Sequence, residues 1–392
     1  MSELIVEVTP VLEVNPHNAA DRLEIIRIKG WDVVVSKDSV AAGELVVFIP
    51  PDSILPESLH QHLGISKYCA QLPTNYYEEA PKARPTARRV KAARLRGVPS
   101  YGTIMPEASF VDYVAKIGWA QGSDTVWVEG GCVAGLLGIT KWEPPIKNIP
   151  GDQEPDNIFF HKYTNIENWR NFPDWFEDGE EIIVSEKIHG CNCRLGMVQE
   201  EEGGEPIWMG GSHNTRRREF FTKKEESESS EKVEKELGPA QRTLYWQPFD
   251  WYEGVKKMVA QLWNANQKSV IVFGEIFGGQ DMKYGLENGA KDFRMFDVSV
   301  GGQYMPWDAL EQWGKELEIP VVPILYRGPY SREKIEELTN GPSTFDVKGK
   351  FKGREGVVIK PVQERQDRMG RRVVLKSVSV DYHNRKGATD GH

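Results

Sequence analysis

Ser185-Glu186-Lys187-Ile188-His189-Gly190-Cys191-Asn192 follows the apolar run Ile182–Val184 with a lysine and then a glycine. The β-branched run predicts a strand. The glycine permits a sharp turn or close approach of a ligand to the backbone. A lysine at a rigid strand end suits a nucleophile, but its amine must lose a proton before it attacks. Cationic neighbours or a metal ion promote that loss. Taken alone, such a lysine is more often a solvated surface group, so the weight falls on what surrounds it in the chain.

Further segments change that balance. Phe273-Gly274-Glu275-Ile276-Phe277-Gly278 sets a carboxylate inside a glycine-flanked apolar run. Arg354-Glu355-Gly356-Val357-Val358-Ile359-Lys360-Pro361 does the same at a strand start, and Leu375-Lys376-Ser377 follows. Phe293-Arg294-Met295-Phe296-Asp297-Val298 is aromatic and charged, and Gly211-Ser212-His213-Asn214-Thr215-Arg216-Arg217 is a polar turn that leads into arginines. A charge within an apolar strand is costly unless it is paired or bound to a ligand. Two such glutamates and two such lysines point to a pocket for metal and phosphate.

The 392 residues correspond to about two domains. With 39% hydrophobic and 27% charged residues, the composition is that of a soluble globular protein. No apolar run has the ~18 residues of a membrane span. Glu3 and Glu7 make the start unlike a secretory signal, and four scattered cysteines do not form a disulfide framework, so a cytoplasmic setting is expected. Cys191-x-Cys193 is too closely spaced for a zinc site, and His17, His60, His62 and His161 form no ligand cluster. The net charge of -9 disfavours a generally basic nucleic-acid binder. Locally, Lys82, Arg84, Arg88, Arg89, Lys91, Arg94 and Arg96 form a basic stretch without an acid, which suits a polyanion track.

Leu4–Val8, Leu23–Ile28, Trp31–Val35, Leu45–Ile49 and Tyr101–Met105 read as short strands of a small barrel. Trp142-Glu143-Pro144-Pro145 and Ile149-Pro150-Gly151 interrupt regular structure, which places a domain boundary near residue 145. Beyond it, strands are expected at Ile182–Val184, Cys193–Val198, Ser269–Ile276, Met295–Val300, Gly356–Ile359 and Val373–Leu375. A helix is expected over Phe249–Trp263. Glu225–Glu236 reads as an exposed charged loop or frayed helix.

In this order, Lys187-x-His189-Gly190-x-Asn192, Glu275, Phe296-Asp297, Glu355-Gly356 and Lys376 resemble the covalent nucleotidyltransferases: DNA and RNA ligases and mRNA capping enzymes. His189 and Asn192 look more like an RNA ligase, since Asp is usual at the position of His189 in the other two. Asn15-Pro16-His17-Asn18-Ala19-Ala20-Asp21-Arg22-Leu23, Ile49-Pro50-Pro51-Asp52-Ser53-Ile54-Leu55-Pro56 and Arg94-Leu95-Arg96-Gly97 resemble tRNA-binding OB modules. The order, with Gln280-Asp281-Met282-Lys283-Tyr284-Gly285 after Glu275, resembles the fifth family of RNA ligases. The implied fold is α+β. An OB-like β-barrel over 1–145 engages RNA, and 146–392 form an ATP-grasp-like nucleotidyltransferase (RNA ligase) domain of antiparallel sheets with flanking helices.

The resemblance implies an ATP-dependent RNA ligase that seals 3′-OH and 5′-phosphate ends, at nicks in duplex RNA, through lysyl-AMP and RNA-adenylate. Lys187 is then the nucleophile. Glu186, His189, Asn192, Arg216, Glu275, Phe296, Glu355, Lys360 and Lys376 join it in the nucleotide site. Glu275 and Glu355 face a Mg2+ or Mn2+ ion, Phe296 stacks on adenine, and Lys360 and Lys376 hold the α-phosphate. A monomer is expected. The acidic insertion Glu200–Glu205 leaves open which arginine fills the family's arginine role. Val378 stands where many ligases carry a second lysine, so Lys360 supplies that contact or it is absent. The alternatives are a non-catalytic RNA-binding protein on a ligase scaffold and a GTP-dependent capping guanylyltransferase. With all these groups after residue 185, a chain lacking residues 1–145 is expected to retain adenylylation.

Overall fold

The computed structural model describes residues 3–72, 86–119, 126–143, 152–199, 201, 203–220, 242–347 and 351–385. Lys82 and Arg84 of the basic stretch, Glu200 and Glu202 of the acidic insertion, and the whole of Glu225–Glu236 lie outside them. So do Pro144, Pro145 and Ile149-Pro150-Gly151 at the expected boundary. The chain divides into two compact units. One comprises Met1–Ile146, Ile166–Phe176 and Leu375–Gly391, and the other Lys147–Asn165 and Glu177–Val374. The division is therefore not a single cut near residue 145, because two short later segments pack with the N-terminal unit.

In the first unit, Leu45–Ile49 lies between Glu7–Pro10 and Thr103–Pro106, antiparallel to both. Leu23–Ile28 lies between Glu13–Pro16 and Trp31–Ser36. Both Leu23–Ile28 and Leu45–Ile49 have the bounds expected from their apolar runs. Leu45–Ile49 is apolar throughout because it is buried on both faces. Val46 and Phe48 join Ile26, Ile28, Trp31 and Val33, whereas Val47 and Ile49 join Val6, Val8, Met105 and Phe110. Successive side chains point to opposite faces of a strand, so one strand serves two cores. The helix Glu107–Lys116 closes the second core through Phe110, Tyr113 and Val114.

The second unit is built on a seven-stranded antiparallel sheet. Its order is Gln153–Glu154, Arg216–Arg217, Pro206–Ser212, Gly190–Gln199, Val270–Phe277, Asp292–Val300 and Gln303–Tyr304. Glu181–Lys187 pairs antiparallel with both Gly356–Pro361 and Ile324–Pro329. The expected helix is two: Pro248–Trp251 and Glu253–Asn266. Tyr252 between them is extended (φ -137, ψ 92), and its hydroxyl donates to Asp292 Oδ1 at 2.5 Å. The expected strand Val373–Leu375 instead runs Leu375–Val378, in parallel register with Glu167–Asn168.

Asp297 is the hub of a buried network in this unit. Its Oδ2 accepts from Lys360 Nζ at 2.5 Å and from Tyr163 Oη at 2.6 Å, and it lies 2.9 Å from Arg372 Nη2. Burial acts to raise the Asp297 carboxyl, but Lys360 and Arg372 outweigh it and hold it below its usual value. Asp297→Asn removes the charge that balances two buried cations. The variant is expected to lose roughly 3–5 kcal/mol of stability, read as a lower denaturant midpoint at pH 7. Arg372 also pairs with Glu364, and an unchanged midpoint would show that Glu364 alone suffices for it.

Candidate active site

Lys187 ends the strand Glu181–Lys187 and stands opposite Gly356 in the ladder. That register puts the preceding Glu355 beside it, with Lys187 Nζ 2.7 Å from Glu355 Oε1. Three residues later, Gly190 begins the next strand opposite Phe277, and Asn192 stands opposite Glu275. A Cβ on Gly190 would lie 2.3 Å from the Ile276 carbonyl oxygen and 2.9 Å from Glu275 Cγ. Only glycine lets this strand approach the carboxylate strand so closely. Both Glu275 and Glu355 act electrostatically on Lys187.

These groups leave the pocket short of positive charge. Burial drives the Glu275 carboxyl up to about 8, only partly opposed by Lys187, and the nearby Glu355 raises it further. Burial works to lower Lys187, but Glu355 and Glu275 override it and hold the ammonium above its usual value. At neutral pH, Lys187 is therefore protonated and Glu275 is largely neutral. The expected cationic activation of Lys187 does not arise from its protein neighbours. Its nearest charged groups are carboxylates that favour the ammonium.

His189 is buried. Its backbone N–H donates to Tyr284 Oη at 2.6 Å, and its Nε2 and Nδ1 lie 2.9 Å from Asp281 and 3.9 Å from Glu355. Asp281 and Tyr284 fall in Gln280–Gly285, but nothing in that segment assigned them to His189. Glu186 points away from its neighbour Lys187, as strand alternation requires. Its carboxylate accepts from Ser343 Oγ at 2.5 Å and from Thr344 N and Oγ1 at 2.8 and 2.7 Å. Those bonds anchor the strand from behind the lysine.

The remaining expected residues divide. The ladder between Val270–Phe277 and Asp292–Val300 shifts register at Phe273/Gly274, so Asp297 faces Phe273 while Met295 faces Gly274. Phe296 is the extra residue of this bulge. It is half-buried, with Tyr163 edge-on at 4.9 Å. Bulges commonly re-aim side chains beside active sites. Lys360 is not with Lys187: its Nζ donates to the Phe296 carbonyl at 2.9 Å and to Asp297. Arg216 pairs with Glu154 at 2.9 Å. Lys376 lies in the other compact unit. Arg194, absent from the sequence reading, is buried. It donates to the carbonyls of Ser212 and Phe160 at 2.8 and 2.5 Å, and burial depresses it to about 10.

Among the described residues, no group of three or more His, Cys, Asp or Glu is arranged to hold a metal ion. Glu275 and Glu355 nevertheless supply hard oxygen donors, and the upward shift of Glu275 marks charge that a cation would balance. Asn192 Oδ1 is buried and has no hydrogen-bond partner among the described residues. That acceptor suits a polar group of a ligand.

The RNA ligase family model matches residues 180–378, just over half of the chain, and an OB-fold domain model matches residues 5–107. No curated protein matches the chain in sequence. Among solved structures, an apo mutant of a Naegleria gruberi RNA ligase is 21% identical with a TM-score of 0.68, covering 97% of this chain and 98% of its own. A mutant of that ligase with AMP and Mn is similar at 21% identity and TM-score 0.66, with coverage of 97% and 98%. The ligase with PPi is similar at 21% identity and TM-score 0.65, again covering 97% and 98%.

The pocket charge has a measurable stability consequence. A carboxyl raised from about 4.5 in the unfolded chain to about 8 in the fold favours folding while protonated. That contribution is complete below about pH 4.5 and is lost as pH rises toward 8. Glu275→Gln, which cannot ionise, should melt several degrees above the wild type at pH 9 and within a degree or so of it at pH 5. A lower melting temperature for the variant at pH 9 would show that the ionised carboxylate is already balanced.

Proposed function

The chain belongs to the RNA ligase family, and on that premise we propose that it seals RNA 3′-OH and 5′-phosphate ends, at duplex nicks, at the expense of ATP. The observation that carries this reading is Lys187 at a strand end between two carboxylates, 2.7 Å from Glu355. The N. gruberi ligase structures with AMP and Mn, with ATP and Mn, and with PPi support an adenylyl transfer that starts from ATP.

In the proposed sequence, Lys187 Nζ loses its proton and attacks the α-phosphorus of ATP. The bond to the pyrophosphate oxygen breaks, leaving AMP on the lysine. A 5′-phosphate oxygen of RNA then takes the AMP and frees Lys187. Finally the 3′-hydroxyl attacks that 5′-phosphorus and AMP leaves. Dividing one condensation in this way gives each step a good leaving group. A Mg2+ or Mn2+ ion at Glu275 and Glu355, bound in part through water, would offset phosphate charge and relieve the carboxylate pull that keeps Lys187 protonated.

The other residues take supporting roles. Phe296, set out by its bulge, stacks on adenine. Asn192 offers its unpartnered oxygen to the nucleotide. His189, held by Asp281 and Tyr284, shapes the turn between Lys187 and Gly190. Lys360 acts on the site by fixing Phe296 and Asp297, and Glu186 by pinning the strand. Lys376 holds phosphate, and Arg216 is the candidate phosphate arginine. The OB-fold unit, with Arg88, Lys91 and Arg96 as described cations, meets the RNA. No helix among the described residues is long and apolar enough to cross a membrane. In this role the protein acts as a cytoplasmic monomer.

Lys187→Ala should abolish labelling of the protein by α-labelled ATP on a denaturing gel while its melting temperature stays near that of the wild type. A variant that still labels would place the nucleophile elsewhere, and labelling of the wild type by GTP instead would favour guanylyl transfer. Glu355→Ala should slow single-turnover adenylylation by at least ~10-fold, as removal of one electrostatic contributor does. A wild-type rate and metal dependence in Glu355→Ala would reduce that carboxylate to a structural role.

A further inference from the structure

Arg194 is a buried cation that the proposed reaction leaves unused. It is 1% exposed, with its guanidinium 4.4 Å from the ring centre of Phe160. Its Nε donates to the Ser212 carbonyl at 2.8 Å and its Nη1 to the Phe160 carbonyl at 2.5 Å. Nη2 is buried and has no hydrogen-bond partner among the described residues. Both bonds end on backbone oxygens rather than on a carboxylate, and burial outweighs the pull of Asp156 to depress the group to about 10. A buried guanidinium with a spare donor is costly. For stability alone, an apolar side chain of similar length would serve as well.

The strand registers set Arg194 in a row that crosses the seven-stranded sheet. Glu154 stands opposite Arg216, Arg216 opposite Gly211, Gly211 opposite Arg194, and Arg194 opposite Phe273. Residues directly opposite each other in neighbouring strands project from the same face. Arg216 and Arg194 therefore share a face, with one glycine between them. Phe160 occupies the space that the glycine leaves. A Cβ on Gly211 would come 3.3 Å from Phe160 Cε1 and 2.5 Å from the Thr215 carbonyl oxygen. The segment that carries Phe160 is tied to the strand of Arg194 a second time. Asn157 Nδ2 donates to the Gln199 carbonyl at 3.2 Å, and Asn157 Oδ1 accepts from the backbone N–H groups of Phe159 and Phe160 at 2.8 and 3.1 Å.

The Ser212 carbonyl held by Arg194 opens the turn that leads to Arg216. Ser212 N donates to the Thr215 carbonyl at 2.9 Å, and Thr215 N to Ser212 Oγ at 3.3 Å. Those bonds close a tight turn directly before Arg216, whose Nε lies 2.9 Å from Glu154 Oε2. Arg194 thus acts on two supports of the turn: the carbonyl at its start and the ring seated over Gly211. At 1% exposure its side chain offers no open surface to a nucleotide, so its influence passes through the groups it holds. Its fork of donors suits a bridge between two carbonyls, which a lysine could not span in the same way.

We propose that Arg194 is a positioning residue for adenylylation: by fixing the Ser212 carbonyl and seating Phe160 on Gly211, it sets the turn from which Arg216 reaches the ATP phosphates. The inference rests on the reading of Arg216 as the phosphate arginine. Phe160, Arg194, Gly211 and Arg216 all lie in one compact unit, the one that carries Lys187. A guanidinium contact to phosphate is directional, so a turn displaced by about 1 Å is enough to weaken it severely.

The test is a double-mutant cycle on the full-length chain, read as single-turnover adenylylation across a range of ATP concentrations, with melting temperatures to identify folded variants. Arg216→Ala and Arg194→Met are each expected to slow adenylylation at low ATP about tenfold or more and to raise the ATP concentration for half-saturation, the scale seen for misplacement of a binding group. Arg194→Met should melt close to the wild type, so the loss is not one of folding. Arg194→Lys should recover only part of it. Gly211→Ala, which displaces Phe160 and the Thr215 carbonyl but leaves the Arg194 charge in place, should reproduce the loss. In the Arg216→Ala background, Arg194→Met and Gly211→Ala should cost nothing further, because they act through the missing arginine. If Arg194→Met does not fold, Arg194→Lys and Gly211→Ala carry the cycle. Wild-type kinetics in Arg216→Ala overturn the phosphate-arginine reading and the inference with it. An impaired Arg216→Ala beside wild-type kinetics in the folded Arg194 variant and in Gly211→Ala, or losses that multiply fully in the double variants, overturns the positioning role alone.

Discussion

Lys187 meets Glu355 at 2.7 Å with Glu275 close enough to act on both. One half-buried ammonium cannot neutralise both the buried Glu355 and the half-buried Glu275, so the pocket reaches near-neutrality by keeping a proton on Glu275. The same carboxylates keep Lys187 protonated. A site in this condition is primed for added positive charge, whose arrival favours ionising Glu275 and releasing the lysine proton. The local backbone serves that arrangement. The Lys187–Gly356 register brings in Glu355, and the missing side chain of Gly190 lets the neighbouring strand bring in Glu275.

The strand that presents Lys187 is rigid because its alternate face is occupied. Glu186 is tied to Ser343 and Thr344, so a change of register by one residue would exchange the Lys187 amine for a carboxylate. A separate set of charges, Asp297 with Lys360 and Arg372, stabilises the sheet where it bulges at Phe296. The two clusters divide the labour between a charge-deficient pocket and a well-compensated scaffold. That division explains why Lys360, a lysine in the same run as Glu355, does not share its pocket.

The chain path adds a further constraint. Residues 166–176 and 375–385 pack with the N-terminal barrel although both are distant from it in sequence. The short parallel pair Glu167–Asn168 with Leu375–Val378 joins them, and Arg170 fixes the pair to Tyr101. The last lysine of the ligase pattern, Lys376, lies on the second strand of that pair.

Strand runs and ordered motifs were legible in the sequence because each depends on local chemistry. Leu23–Ile28 and Leu45–Ile49 are marked by β-branched side chains between turn residues, and Lys187, Glu275 and Glu355 by charges set into apolar runs. The ordered set resembled a ligase before any contact was known. Sequence could not separate Lys360 from Lys187, because only the packed fold pairs Lys360 with Asp297 and Lys187 with Glu355. Nor did it show Arg170 or Arg194, whose isolated arginines carry no pattern and become unusual only once buried. The same limit applied to the unit boundary, since composition reports linkers along the chain whereas packing joins segments hundreds of residues apart. The residue types determined which chemistry the protein can perform; the tertiary structure decided which charges share a pocket, because burial and distance set their balance.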